Sequence, residues 1–169
     1  MTPHVVDASV VIKWFIDEVY AEAAQRLQED QYQLFAPDLL WLECGNILWK
    51  KVRREELTPD EARLIWGGLE QQPISTFPSR PLLDLALEVA LDTNRTVYES
   101  CYLAVGMLIG CQLVTGDRKL FNALQGGSYA PHVCWVVYLP CRDTTSLVYP
   151  YENQEEFGKV YFLVLYQRI

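Results

Sequence analysis

The hydrophobic pattern switches repeatedly between short runs and helical spacing. His4-Val5-Val6 is an apolar run closed by Asp7 and predicts a strand with an acid at its carboxyl end. Residues 8–28 then adopt helical spacing through Val10, Val11 and Trp14, and again through Ala23, Ala24 and Leu27. Gln33–Ala36 predicts a second strand, punctuated by Pro37. Asp38 suits the N-cap of a long helix reaching about Arg54, with Leu39, Leu40, Ile47 and Leu48 on one stripe. Thr58-Pro59-Asp60-Glu61 reads as a helix start: a capping hydroxyl, proline at the first position, then acids facing the dipole. Ile74–Phe77 predicts a strand, Leu82–Leu91 a helix, and 98–109 an apolar helix stopped by Gly110. Gln112–Thr115 predicts a strand, Asp117–Leu124 a short helix and Val133–Leu139 a last strand. Strands alternating with helices, without hairpin signals, imply an α/β class with a mostly parallel sheet covered by helices. Beyond Pro140 the pattern weakens; Lys159–Tyr166 is a further candidate strand, and 141–169 an expected C-terminal extension packing on the domain of residues 1–140.

Composition changes this picture little. A chain of 169 residues, half of them apolar, suits one domain with a sizeable core. The start lacks a secretory pattern, and no apolar stretch approaches the ~20 residues that span a bilayer. Five cysteines without a Cys-x-x-Cys pair fit free buried thiols and a cytoplasmic location. Charge matters more. With 14 basic and 22 acidic residues the net charge is −8, which argues mildly against a bulk basic grip on nucleic acid.

Four acids do not fit a solvated surface. Asp7 and Asp117 each follow a strand, where open α/β sheets bind ligands, although both also suit the N-caps of the helices that follow. Glu43 shares a helix stripe with Leu39, Leu40 and Ile47, and Glu99 precedes Tyr102 and Leu103 by three and four positions. Glu99 alone could complement a helix dipole; a buried Glu43 lacks so simple a reading. Four carboxylates gathered together repel unless a cation sits among them. All-oxygen ligands point to Mg²⁺ or Mn²⁺, and two isolated histidines, His4 and His132, do not make a zinc site.

Val5–Trp14, Leu42–Leu48, Thr96–Ala104 and Leu113–Leu120 resemble, in order and spacing, the four motifs of the PIN domain family, nearest its VapC-like branch of toxin ribonucleases. The resemblance covers roughly residues 4–139. It implies a three-layer α/β/α fold and an endoribonuclease hydrolysing RNA phosphodiester bonds through a metal-activated water. The acidic tetrad would be Asp7, Glu43, Glu99 and Asp117, serving as catalytic residues and as ligands of one or two Mg²⁺ or Mn²⁺ ions. Ser9 matches a small polar residue near the metal. Glu99 stands where the family usually has Asp. Expected partners are RNA, an antitoxin-like protein of a type II toxin–antitoxin pair and a second copy of the chain, without membrane contact. The alternative is a PIN-fold interaction module without catalysis. A phosphatase of the Asp-x-Asp kind is set aside, because the chain has Asp7-Ala8-Ser9.

Positive charge is sparse. Lys50, Lys51, Arg53 and Arg54 cluster where cations favour a helix carboxyl end, or where they could grip a polynucleotide backbone beside the cleft. Arg118 and Lys119 follow Asp117 and are candidate substrate contacts, with Ser9. The five tryptophans suit core or interface packing more than base stacking.

Overall fold

The computed structural model of the chain describes residues 1–139. The candidate strand Lys159–Tyr166, Cys141 and the expected extension 141–169 lie outside the described residues. Among the described residues five strands, β1 (Thr2–Val6), β2 (Tyr32–Pro37), β3 (Ile74–Phe77), β4 (Gln112–Thr115) and β5 (Val133–Trp135), form one sheet in the order β3-β2-β1-β4-β5. Every pairing between them is parallel. The central strands are apolar throughout their inner length: Val5, Val6, Leu113 and Val114 are fully buried, as a sheet covered on both faces requires.

Connections leaving β1 and β2 run in one direction along the sheet. The crossover from β3 returns past β2 and β1 to reach β4. With right-handed crossovers, these two sets lie on opposite faces, giving three α/β/α layers. The first set holds α1 (Ala8–Val11), α2 (Ala21–Gln25), α3 (Leu39–Arg53) and α4 (Pro59–Glu70); the return holds α5 (Leu83–Thr93) and α6 (Val97–Ile109). Helix α6 packs on β1, β2 and β4, and α7 (Arg118–Leu124) joins β4 to β5.

Local chemistry sets most boundaries. Thr58 and Thr96 each form a reciprocal capping box, with Glu61 and Glu99, at the starts of α4 and α6. Helix α6 ends at Gly110, whose φ of 68° is left-handed, and Gly106 brings it close to the chain entering β4: a Cβ there would stand 2.8 Å from the Cys111 carbonyl oxygen.

Three expectations need correction. The helical segment over 8–28 is broken: after α1 a 3-10 turn covers Ile12–Trp14, and Tyr20 at φ 70° precedes α2. The Trp14 indole N–H donates to the Ala24 carbonyl (2.8 Å) and closes the break. Asp38 precedes α3 but does not cap it by a side-chain hydrogen bond. Its Oδ1 accepts instead from the Ser79 amide (3.0 Å) and hydroxyl, tying the start of α3 to the chain before α5. The last strand stops at Trp135 and becomes a 3-10 turn over Val136–Tyr138, because its partner β4 ends at Thr115 and offers no further ladder.

The buried stripe of α3 is Leu40, Cys44 and Leu48, with Leu39 and Ile47 at its margins. Glu43 therefore lies beside the core stripe rather than within it. Cys44, Cys101, Cys111 and Cys134 are free thiols. Trp14 and Trp135 are buried, Trp41 and Trp66 meet edge to face, and Trp49 is exposed. No helix among the described residues is long and apolar enough to cross a membrane.

Candidate metal centre

Strand order reverses at the β1–β4 pair, so the helices after these two strands diverge and leave a crevice at their carboxyl ends. Val6 pairs with Val114, which sets Asp7 beside Thr115 and Asp117. Asp7 is buried. Its Oδ1 accepts from the Ser9 hydroxyl (2.6 Å) and the Val10 amide (3.1 Å), and its Oδ2 from the Thr115 hydroxyl (2.5 Å). Ser9 Oγ in turn accepts from the Gly116 amide (2.9 Å), and Thr115 Oγ1 from the Asp117 amide (3.0 Å). Asp117 Oδ1 accepts from the Lys119 and Leu120 amides (2.8 and 3.3 Å). Both aspartates are N-caps, and both line the same cleft, so the two readings of each hold together.

Two helices bring the other acids. On α3, Glu43 Oε2 accepts from the phenol of Tyr102 (2.5 Å), a residue of α6 that is 2% exposed. Glu99, in the first turn of α6, turns Oε2 back onto the Thr96 amide (2.9 Å) and hydroxyl (2.7 Å). It lines the cleft as well, together with Asp7, Ser9, Glu43, Tyr102 and Asp117. Its extra methylene, relative to aspartate, is what lets the carboxylate reach back to the N-cap.

Burial governs the electrostatics. Asp7 is pushed up to about 6 by desolvation, against the three hydrogen bonds it accepts, and the Glu43 charge adds to the rise. Glu43 is likewise raised by desolvation; the Tyr102 phenol opposes this and the Glu99 charge adds to it. Cys44, next in sequence to Glu43, is pushed up to about 12 by burial and by both neighbouring acids, so it stays a thiol. On both carboxylates burial and a neighbouring negative charge act in the same direction.

The donor set suits a hard divalent ion. It is all oxygen, and protein donors orient each carboxylate as they do around metals. Glu43 Oε1, Glu99 Oε1 and Asp117 Oδ2 accept no hydrogen bond from the described residues, which leaves them available to a cation. In this arrangement no three acids among the described residues are drawn to the spacing of a shared ion.

The PIN domain family model matches residues 4–126. The chain belongs to the PIN domain family. A relative, ribonuclease VapC3 of Pyrobaculum aerophilum, is 33% identical over 120 residues, 69% of this chain and 90% of that protein. Exonuclease VapC9 of the same organism is 33% identical over 89 residues, 50% of this chain and 62% of that one. The crystal structure of PAE2754 from Pyrobaculum aerophilum shares the fold with a TM-score of 0.58 at 24% identity, covering 80% of this chain and 84% of that one.

The PIN fold thus gathers Asp7, Glu43, Glu99, Asp117 and Ser9 around one cleft, and two further candidates fall outside its lining. The Arg118 guanidinium lies 4.4 Å from the Trp135 ring centroid and donates to the Tyr20 hydroxyl (3.1 Å). Lys119 is exposed beside it. Sequence reasoning missed Tyr102 and Thr115, the hydroxyls that hold Glu43 and Asp7. Tyr102 carried a signal, as a phenol on an apolar helix face three positions after Glu99. Thr115 carried none, since threonine is an ordinary strand residue.

Proposed function

We propose that this chain is a divalent-metal-dependent endoribonuclease, the toxin of a type II toxin–antitoxin pair. The observation that carries the reading is the convergence of Asp7, Glu43, Glu99 and Asp117, from four separate elements, on one cleft at the sheet's reversal point. The relatives named ribonuclease and exonuclease support nuclease chemistry. Asp7, Glu43, Asp117 and, through Oε1, Glu99 would hold one or two Mg²⁺ or Mn²⁺ ions. When bound, such an ion supplies an acidified water and charge stabilisation at phosphorus. The protein's own part is to fix the carboxylates through Ser9, Thr115 and Tyr102, and to leave the cleft open to a strand. An antitoxin-like partner would place a basic side chain among these acids. A homodimer belongs to the same reading.

Glu99 favours a second reading. One of its oxygens is committed to the capping box, as an interaction module without catalysis would tolerate. Incubating purified protein with circular and linear RNA, in Mg²⁺, Mn²⁺ or EDTA, separates the possibilities. Cleavage of the circle, abolished by EDTA and by Asp117→Asn, is the expected result. Cleavage of the linear RNA alone would replace endonuclease by exonuclease, and no cleavage by the wild type would favour the interaction module.

A further inference from the structure

The basic cluster at the end of α3 is split by the fold, and the split singles out one lysine. Lys51 Nζ lies 2.5 Å from Glu18 Oε1 and 3.0 Å from Glu56 Oε2, so its charge is taken up in ion pairs. Arg54 faces the same Glu56 at 3.9 Å. Arg53 sits 5.6 Å from the centroid of the Trp49 ring, and Trp49 belongs to a separate groove with Trp66. Lys50 differs from all three. It is exposed, has no ion pair among the described residues, and lines the acidic cleft. It is the one cation among the described residues that does so, since Arg118 is engaged with Trp135 and Tyr20.

Position along the helix gives this lysine a task. Glu43, Asn46 and Lys50 follow one another at i, i+3 and i+7, all on the cleft side of α3. Lys50 is therefore about 10 Å along the helix axis from Glu43. That offset along the cleft suits a phosphate next along the same strand from the one held at the acids. A chain of net charge −8 that admits a polyanion needs cationic relief beside its acidic centre, and Lys50 is placed to give it.

We infer that Lys50, with the Asn46 side chain next to it, forms a backbone subsite that holds a phosphate of the RNA strand adjacent to the one at the acids. The inference rests on the nuclease reading above. Lys50 is a positioning residue: it sets where along the strand the acids act and takes no part in bond breaking.

The test measures binding of a fluorescein-labelled ten-nucleotide oligouridylate by anisotropy in Ca²⁺, across a KCl series. Steady-state cleavage of the same RNA in Mn²⁺ accompanies it. Losing one contact to a single strand lowers the slope of log affinity against log salt by about 0.7. Lys50→Gln is expected to show that drop and a several-fold higher KM, with kcat within about twofold of wild type. Lys50→Arg should restore the slope, and Asn46→Ala should weaken binding without changing it. Arg53→Gln, on the Trp49 side, should leave slope and KM as they are. An unchanged slope in Lys50→Gln, or an equal drop in Arg53→Gln, overturns the subsite while the nuclease reading survives. A wild type that neither binds nor cleaves RNA overturns both.

Discussion

Removing the charge of Asp7 should stabilise the metal-free protein at neutral pH. Burial raises this carboxyl from 3.8 to about 6, so the folded state binds a proton more tightly than the unfolded chain does. Stability from that proton is fully present below the unfolded value and is lost as pH rises through the folded one, between about 4 and 6. A shift of this size corresponds to about 3 kcal/mol lost by pH 8. Asp7→Asn keeps the shape and removes the titration. Its amide oxygen can still accept from Ser9 and Val10, while its NH₂ donates to Thr115 Oγ1, whose hydroxyl can rotate to accept it. In EDTA, urea denaturation of the wild type should give a lower unfolding free energy at pH 8 than at pH 5. The Asp7→Asn variant should vary much less from this site and exceed the wild type at pH 8. Adding Mn²⁺ should reverse the order at pH 8, because an ion that binds only the folded wild type stabilises it by mass action. Parallel pH profiles for the two proteins in EDTA would refute the premise that Asp7 is held charged at a cost.

Tyr102→Phe deletes the one donor to Glu43 Oε2 among the described residues without changing the core volume appreciably, and should weaken Mn²⁺ binding about 10- to 100-fold, read by calorimetric titration. Glu99 should separate its two duties: Glu99→Gln keeps a capping-box partner and the melting temperature but weakens Mn²⁺ binding. Glu99→Asp keeps the charge but shortens the arm, lowering stability by about 1 kcal/mol on chemical denaturation. Gly106→Ala should destabilise by about 1–3 kcal/mol, since its Cβ would press on the Cys111 carbonyl oxygen and push α6 from the sheet; urea denaturation measures it.

Local chemistry made much of the fold legible in the sequence. The Thr58 and Thr96 helix starts, the Gly110 stop and the four-residue strands Ile74–Phe77 and Gln112–Thr115 depend on neighbours within a few positions, and hydrogen bonding or backbone freedom places them. Asp7 and Asp117 were legible as acids at strand ends for the same reason. Asp38 holds the N-cap position expected of it, but its carboxylate accepts from Ser79, 41 positions away, rather than from the helix, and no local pattern shows such a partner. The end of β5 was misread because strand length depends on the ladder that β4 offers, not on the apolarity of Val136 and Val137.

The sequence by itself determined which residue types were present, their order, and the periodicity that turns them into strands and helices. Only the tertiary structure decided how their charges and hydroxyls are used. Parallel pairing of β1 with β4 set Thr115 against Asp7, and the packing of α6 near α3 brought the Tyr102 phenol to Glu43 across 59 positions. Four adjacent-looking cations became one lysine facing the acids and three turned elsewhere. The reason is one of range: propensity and capping act within a turn or two of chain, whereas desolvation, ion pairing and hydrogen bonding to a buried carboxylate depend on whatever the fold brings within a few ångströms.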